Sequence, residues 1–369
     1  MTSGLFIMIN DEKSLELCLK YGVYGFYMAP FFENQPAPRN HYGVLADYAC
    51  CNSKTHIFFF TKREIIYGGI VDSEGENSSF YLNGNTSPIG RKANAPLFWD
   101  ESHRYEQIEP GVFQMETQRG ISKMSQPFIL KFKPYSNLSN RKISSDSLYF
   151  ELGRKHGYPL PSNAIQGLGC CTLTPEETKI ALELLEKSED FFCGDFSEEI
   201  EIGSMQIPFT NEFLDSKKYI NESHLEFSLL ADFDRIKNIV GKQNSYVRGR
   251  QVPICPFKPM QFDRADIVLY DLNNPINNGT IPNVIIELKH EKGNYKAYEQ
   301  VVKYLKWLEQ VTSEEDFLKI ESIIIAPYFV NRLTYKDLKK RKIDLKYDNQ
   351  IKLFSLNDND FYQIKEWLI

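Results

Sequence analysis

Three ionisable residues stand inside strand-like sequence late in the chain. Asp266 heads Ala-Asp-Ile-Val-Leu-Tyr, and Glu287 and Lys289 close Val-Ile-Ile-Glu-Leu-Lys. Apolar, β-branched runs seldom carry charge without a use, because an unpaired buried charge is costly. Two carboxylates at one corner, helped by the Leu288 carbonyl, make an oxygen donor set suited to a hard divalent cation such as Mg²⁺ or Mn²⁺. A lysine beside them can position or help deprotonate a water and stabilise charge on a phosphorane. Gln300 and Tyr304 follow, four residues apart. Their polar tips can orient the water and Lys289, or contact a phosphate. The chemistry this set suits is metal-assisted phosphodiester hydrolysis.

The elements that must position these groups are legible around them. Ile267–Tyr270 and Val284–Ile286 are short and β-branched, bounded by Asn, Gly and Pro, and read as strands. The turn-rich stretch from Asp271 to Pro282 joins them as a hairpin. Side chains alternate along a strand, so Glu287 and Lys289 share a face while Leu288 points away, and Asp266 reaches the same corner from the partner strand. From Tyr295 to Gln310, Val301, Val302, Leu305 and Leu308 form an apolar stripe at helical spacing. Gln300 and Tyr304 then lie on one helical face, and Lys296, Lys303 and Lys306 decorate the same helix.

The ordered set Asp266…Glu287-x-Lys289…Gln300-xxx-Tyr304 resembles the signature of the RecB-like branch of the PD-(D/E)XK nuclease superfamily. The surrounding text resembles the catalytic domain of the NucS family of DNA endonucleases. Asn221-Glu-Ser-His-Leu-Glu226 is similar to that family's opening helix, Arg250-Gln-Val-Pro precedes the first catalytic strand, and Ile323-Ile-Ile-Ala-Pro327 is similar to its later core strand. The resemblance covers roughly Glu212 to Asp348. It implies that Asp266 and Glu287 hold the metal, that Lys289 serves catalysis, and that Gln300 and Tyr304 complete the site. Glu226 matches the upstream acidic position, with Glu222 one turn away. The stretch after Lys289, His290-Glu-Lys-Gly-Asn, is more acidic than the family's pattern.

The whole chain permits this reading. Its 369 residues suggest two or three domains, with 42% hydrophobic and 14% aromatic residues for their cores. No apolar run approaches the roughly 20 residues of a membrane helix, and the first residues lack the charged and apolar regions of a signal peptide. Seven cysteines fall as singles and adjacent pairs without ligand spacing, which argues against structural zinc and for free thiols in the cytoplasm. The six histidines are scattered, with no pair at metal-ligand or triad spacing. A net charge of −6 excludes a chain coated in nucleic-acid-binding surface but allows a local basic track. Arg250, Arg264, Lys303, Lys339, Lys340 and Arg341 are the candidate DNA contacts.

The N-terminal half has another texture. A short helix ends near Lys20, followed by aromatic-rich strand signals at Val23–Met28, His56–Phe60, Glu64–Val71 and Pro127–Phe132. Thr61-Lys-Arg63 reads as a tight hairpin, and Gly68-Gly69 as a place where another backbone approaches. Tyr42-Gly-Val-Leu-Ala-Asp-Tyr48, with the Ile57 and Ile66 strands, resembles the PUA-like group that includes EVE and YTH domains. That resemblance implies an aromatic base pocket, for which Tyr42, Tyr48 and Trp99 are the candidates. Thr174-Pro-Glu-Glu177 is a capping box opening a helix to about Lys187.

The expected fold class is therefore an α+β, β-barrel-like N-terminal domain (residues 1–135), a helical and irregular connector (136–211), and an α/β restriction-endonuclease-like domain (212–369) with a mixed sheet flanked by helices. The expected function is a Mg²⁺-dependent DNA endonuclease, in restriction directed at modified DNA or in NucS-like repair. A non-cleaving DNA-binding scaffold and an RNA nuclease are the competing readings. DNA and a second copy of the chain are the expected partners, and no membrane or organic cofactor is expected.

Overall fold

A computed structural model describes residues 2–9, 12–26, 39–73, 79–82, 105–109, 112–117, 120–124, 126, 128–156, 169–192, 206–208, 219, 221–241, 245–255, 263–329, 338, 340–341, 343–357 and 360–363. Trp99 and Lys339 lie outside the described residues.

The first half contains β1 (Ser3–Met8), α1 (Glu12–Tyr21), β2 (Val23–Gly25), α2 (Arg39–Ala49), β3 (Thr55–Thr61), β4 (Glu64–Val71) and β5 (Ser79–Leu82). A separate three-stranded meander follows, β6 (Tyr105–Glu109), β7 (Val112–Thr117) and β8 (Gly120–Met124), and then β9 (Phe128–Lys133). The middle of the chain supplies β10 (Lys142–Ser144), α3 (Ser145–His156), β11 (Cys170–Leu173), α4 (Pro175–Lys187) and β12 (Gln206–Pro208). Among the described residues the first sheet runs β11-β1-β3-β4-β9-β5-β12, with β10 on β4 and β2 on β9. Among the described residues this path curls as a half-barrel whose ends, β11 and β12, do not pair with each other.

Local sequence explains this sheet. Lys62 and Arg63 both have positive φ, 46° and 67°, the geometry of a two-residue hairpin that follows strand twist. A Cβ on Gly69 would lie 2.2 Å from the Lys133 carbonyl, so β9 can approach β4 only because glycine is there. The expected connector proves to be part of this sheet: β11 pairs antiparallel with β1, and β10 with β4. The physical reason is that β1 and β4 need partners for their backbone groups, a demand that four residues such as Cys-Cys-Thr-Leu do not advertise. The capping box on α4 is present, with Thr174 Oγ1 accepting from Glu177 N at 3.1 Å and Glu177 Oε2 accepting from Thr174 N at 2.7 Å.

The second half contains α5 (Glu222–Ala231), α6 (Phe233–Val240), β13 (Tyr246–Cys255), β14 (Asp263–Asp271), β15 (Val284–Leu288), α7 (Tyr295–Val311), α8 (Glu314–Phe317), β16 (Glu321–Ala326), β17 (Ile351–Ser355) and β18 (Asp360–Gln363). The sheet order is β13-β14-β15-β16-β17-β18. β15, β16 and β17 are mutually parallel, and β13, β14 and β18 join antiparallel. The molecule is thus a mixed α/β protein, as the patterning implied. Among the described residues no helix is long and apolar enough to cross a membrane.

The packing joins the halves. One apolar cluster holds Leu5 and Ile57 of the first sheet, Tyr48 of α2, Phe227 of α5, and Ile267 and Ile286 of the second sheet. Alternate residues of the second sheet, Val268, Ile285 and Ile324, face α7 through Val301 and Leu305. Helix α5 is buried from His224 to Leu230, with Leu225, Phe227, Leu229 and Leu230 in the apolar cluster between the layers. It is the element that carries Glu222 and Glu226 to the end of β15.

Candidate active site

The β14–β15 register pairs Ile267 with Ile286, and extending it by one residue sets Asp266 across from Glu287. The backbone ladder stops there. Leu288 N donates instead to Asp266 Oδ2 at 2.7 Å, which ties the acid to the neighbouring strand. Lys289 N returns to the sheet, donating to Ile325 O at 2.9 Å. The Lys289 ammonium then curls back, donating to Leu288 O at 2.7 Å, Glu287 Oε1 at 2.9 Å and Glu222 Oε1 at 3.1 Å. All three of its protons are used.

Helix α7 closes the other side. Asn294 caps its first turn by accepting from Lys296 N at 2.9 Å. Two turns on, the Tyr304 hydroxyl donates to Arg264 O at 2.5 Å, accepts from Gln300 Nε2 at 2.5 Å, and stands 3.4 Å from Glu287 Oε2. Asp266, Glu287, Lys289, Gln300 and Tyr304, read together from the sequence, are therefore together in space.

Burial governs the electrostatics. Glu287 is 1% exposed and Asp266 9%. Desolvation, and then repulsion from Glu226, pushes the Asp266 carboxyl up to about 7. Desolvation and the Asp266 charge push Glu287 up to about 8, with Lys289 opposing. Burial works against the Lys289 charge, but Glu287 and Asp266 outweigh it and hold the ammonium above its usual value. Desolvation and Glu287 raise Tyr304 as well, so its phenol stays protonated.

A second ring of polar groups backs the acids. Glu226 is buried in α5 and accepts from Arg250 Nη2 at 2.7 Å. Gln251 Nε2 donates to Asp266 Oδ1 at 3.0 Å and to Glu226 Oε1 at 3.4 Å. Arg250 Nη1 pairs with Asp47 of α2. Desolvation raises the Glu226 carboxyl, with Arg250 pulling it back. Asp47, Cys170, Glu222, Glu226, Gln251 and Asp266 are among the residues lining a cleft of about 340 Å³.

Several expected assignments change. Arg250, expected as a nucleic-acid contact, lines the cleft, but its side chain is 12% exposed and engaged by two carboxylates, and a doubly paired buried guanidinium does not exchange partners for a phosphate at low cost. Tyr42 and Tyr48 do not line a base pocket. The stretch that carries them is helix α2. Tyr48 is fully buried and donates to Phe128 O at 3.2 Å, and Tyr42 stacks on His224 with ring centroids 4.2 Å apart. Arg264 does line the cleft. Lys303, Lys340 and Arg341 are exposed, with the Arg341 guanidinium stacked 3.6 Å over the Tyr295 ring. Trp99 and Lys339 fall outside the described residues.

Sequence reasoning did not find Asp47 or Gln251. A lone acid in the apolar helical stretch Gly43–Ala49 was the available signal for the first. Gln251 joins the site through a left-handed backbone, φ 49°, which nothing in its neighbours announces.

Among the described residues no group of three or more His, Cys, Asp or Glu side chains is arranged to hold a metal ion. The donors at hand are two carboxylates, Asp266 and Glu287, and the Leu288 carbonyl. They fit a hard divalent cation on chemical grounds. All are oxygens, and burial raises both acids, with repulsion from Glu226 at Asp266 and from Asp266 at Glu287, a cost that a dication at that corner relieves. No known protein family matches the chain, and no curated protein and no solved structure matches it either.

Proposed function

We propose that this chain is a divalent-metal-dependent endonuclease that hydrolyses DNA phosphodiesters, with its second half built on the PD-(D/E)XK plan. The observation that carries the reading is the convergence of Asp266, Glu287 and Lys289 at one end of the β14–β15 pair, backed by Tyr304 and Gln300 from the next helix. Polar groups from three separate elements meet where a sheet of this composition would otherwise be apolar.

In this reading Asp266, Glu287 and the Leu288 carbonyl hold Mg²⁺ or Mn²⁺. When bound, the ion would supply Lewis acidity to a phosphoryl oxygen and lower the pKa of a water. The protein's own groups do the rest. Lys289 is cationic and anchored by Glu287 and Glu222, and its third proton, now on Leu288 O, would turn to an equatorial oxygen of a phosphorane when an ion takes that carbonyl. Tyr304 holds β14 to α7 through Arg264 O and keeps a protonated phenol beside Glu287, which limits the rotamers open to that acid. Arg264, on the cleft wall, is placed to meet a DNA phosphate.

The test is cleavage of plasmid, single-stranded, mismatched and base-modified DNA with Mg²⁺ and with EDTA, followed by sequencing of the ends. Metal-dependent cutting supports the reading. DNA binding without cutting under every condition replaces it with a binding scaffold. Cutting confined to mismatched or to modified DNA separates repair from restriction.

A further inference from the structure

Strand β13 carries two arginines, Arg248 and Arg250, two residues apart and therefore on one face. Both reach into the N-terminal half. Arg248 Nη1 donates to Ala49 O at 3.0 Å and to Leu230 O at 3.3 Å, joining the C-terminal ends of α2 and α5. Arg250 divides its fork, giving Nη1 to Asp47 on α2 and Nη2 to Glu226 on α5. Its backbone N also donates to Thr172 Oγ1 on β11 at 3.1 Å. Thus α2, α5 and β11 all meet on this segment.

The next residue links that meeting point to the acids. A regular strand would send Arg250 and Gln251 to opposite faces. With φ at 49°, Gln251 takes a backbone conformation that costs a non-glycine residue energy and persists where the surroundings enforce it. The result is that its side-chain amide bridges two carboxylates, one proton to Asp266 Oδ1 and the other directed at Glu226 Oε1. The chain of contacts is continuous: Asp47, Arg250, Glu226, Gln251, Asp266.

We propose that Asp47, contributed by the N-terminal half, is a positioning residue of the catalytic centre, fixing the Asp266 carboxylate through Arg250, Glu226 and Gln251. This rests on the endonuclease reading for its consequence but not for its geometry. A guanidinium facing two acids is held between them. With Asp47 gone it has only Glu226 to follow, and the Glu226 carboxylate that anchors one end of the Gln251 bridge is left to move with it. The N-terminal half is then a wall of the active cleft, to which it also contributes Cys170 and Cys171, and more than an appended reader.

The experiment uses the full chain with Asp47→Asn, which keeps volume and removes the charge, Asp47→Ala, and Asp47→Glu as the conservative rescue. Asp146→Ala, which breaks an exposed ion pair with Arg63 in the same half, is the control. Mn²⁺ affinity by calorimetry, kcat and KM on plasmid DNA, and the melting temperature are read for each. The expected result for Asp47→Asn is a loss of about 10–100-fold in Mn²⁺ affinity or kcat with KM changed by less than about threefold, partial recovery in Asp47→Glu, and no change in Asp146→Ala. A folded Asp47→Asn protein with wild-type Mn²⁺ affinity and kcat overturns the proposal, whatever its melting temperature. Should Asp47→Ala not fold, Asp47→Asn alone decides. If the wild-type chain binds Mn²⁺ but cuts no DNA, the endonuclease reading fails while the affinity loss in Asp47→Asn still establishes the positioning. A wild-type chain that binds no Mn²⁺ sinks both.

Discussion

Strands β14 and β15 bury acidic or amide side chains at both ends, and the two ends treat them differently. At the hairpin end Asp271 is buried, and its Oδ1 accepts from Asn273 N at 2.9 Å. Buried Asn283 accepts from Asp271 N at 2.8 Å and donates to Asn274 O at 2.9 Å. Those polar groups satisfy turn backbone within a dozen residues, which is structural work. At the other end Asp266 and Glu287 face each other across the register, with carboxyl values raised to about 7 and about 8. A protein able to satisfy one end locally leaves the other in repulsion, to which Glu226 and Glu222 of α5 add and which Lys289, Leu288 N and Gln251 of β13 offset. Such a conflict is where function is expected, because folding alone does not ask for it.

The largest test of that contrast is substitution at each end. Asp266→Asn or Lys289→Ala lowers kcat for DNA cleavage by on the order of 10³-fold, and Asp266→Asn leaves the metal-free melting temperature unchanged or higher. Asn283→Ala does the reverse: it leaves buried partners unsatisfied and lowers stability by about 1–3 kcal/mol, with kcat preserved. Chemical denaturation and plasmid nicking, run side by side on the three variants, read the difference. Equal loss of stability at both ends would erase the comparison.

Acidity sharpens it next. Both acids are raised on folding, so their contribution to stability is complete below about pH 4, where the unfolded groups titrate. It is lost as pH rises through the folded values of about 7 and about 8. The metal-free protein therefore melts lower at pH 8.5 than at pH 6, and Mn²⁺ affinity rises over the same window as the pair ionises. Asp266→Asn flattens both trends. A melting temperature independent of pH in the wild type would contradict the burial-driven repulsion.

Smaller effects come from the supporting groups. Tyr304→Phe removes one hydroxyl from Arg264 O and Gln300 and is expected to lower kcat about tenfold, with about 1 kcal/mol lost in stability. Lys303→Ala, on an exposed position of α7, is expected to raise KM for DNA about two- to threefold at low salt and to reduce its salt dependence, leaving kcat alone. A change in kcat with Lys303→Ala would move that residue from the DNA path to the chemistry.

How much of this could be read from the sequence follows from the range of each interaction. Glu287 and Lys289 share a face by strand alternation, Gln300 and Tyr304 by helical period, and the Lys62-Arg63 turn and the Thr174 box by local chemistry; all are short-range and legible. Arg250 has its partner Asp47 203 residues away, and a charged residue before a strand looks solvated until such a partner is known. Tyr42 and Tyr48 read as pocket aromatics because aromatic content signals strand and stacking, yet α2 buries them against α5 and the first sheet. The middle segment reads as a connector because β11, only four residues long, owes its existence to the open edge of β1. Non-local pairing decided each of these.

The proposed role of the Asp266–Glu287 end of β14–β15 is that of a metal-dependent hydrolytic centre. Its most direct test is cleavage of supercoiled plasmid by the wild-type chain and by Lys289→Ala at pH 8, each with Mg²⁺ and with EDTA. The account predicts nicked or linear product from the wild-type chain with Mg²⁺ alone, and none in the other three reactions. Cutting by Lys289→Ala at the wild-type rate, or by the wild-type chain in EDTA, would contradict it.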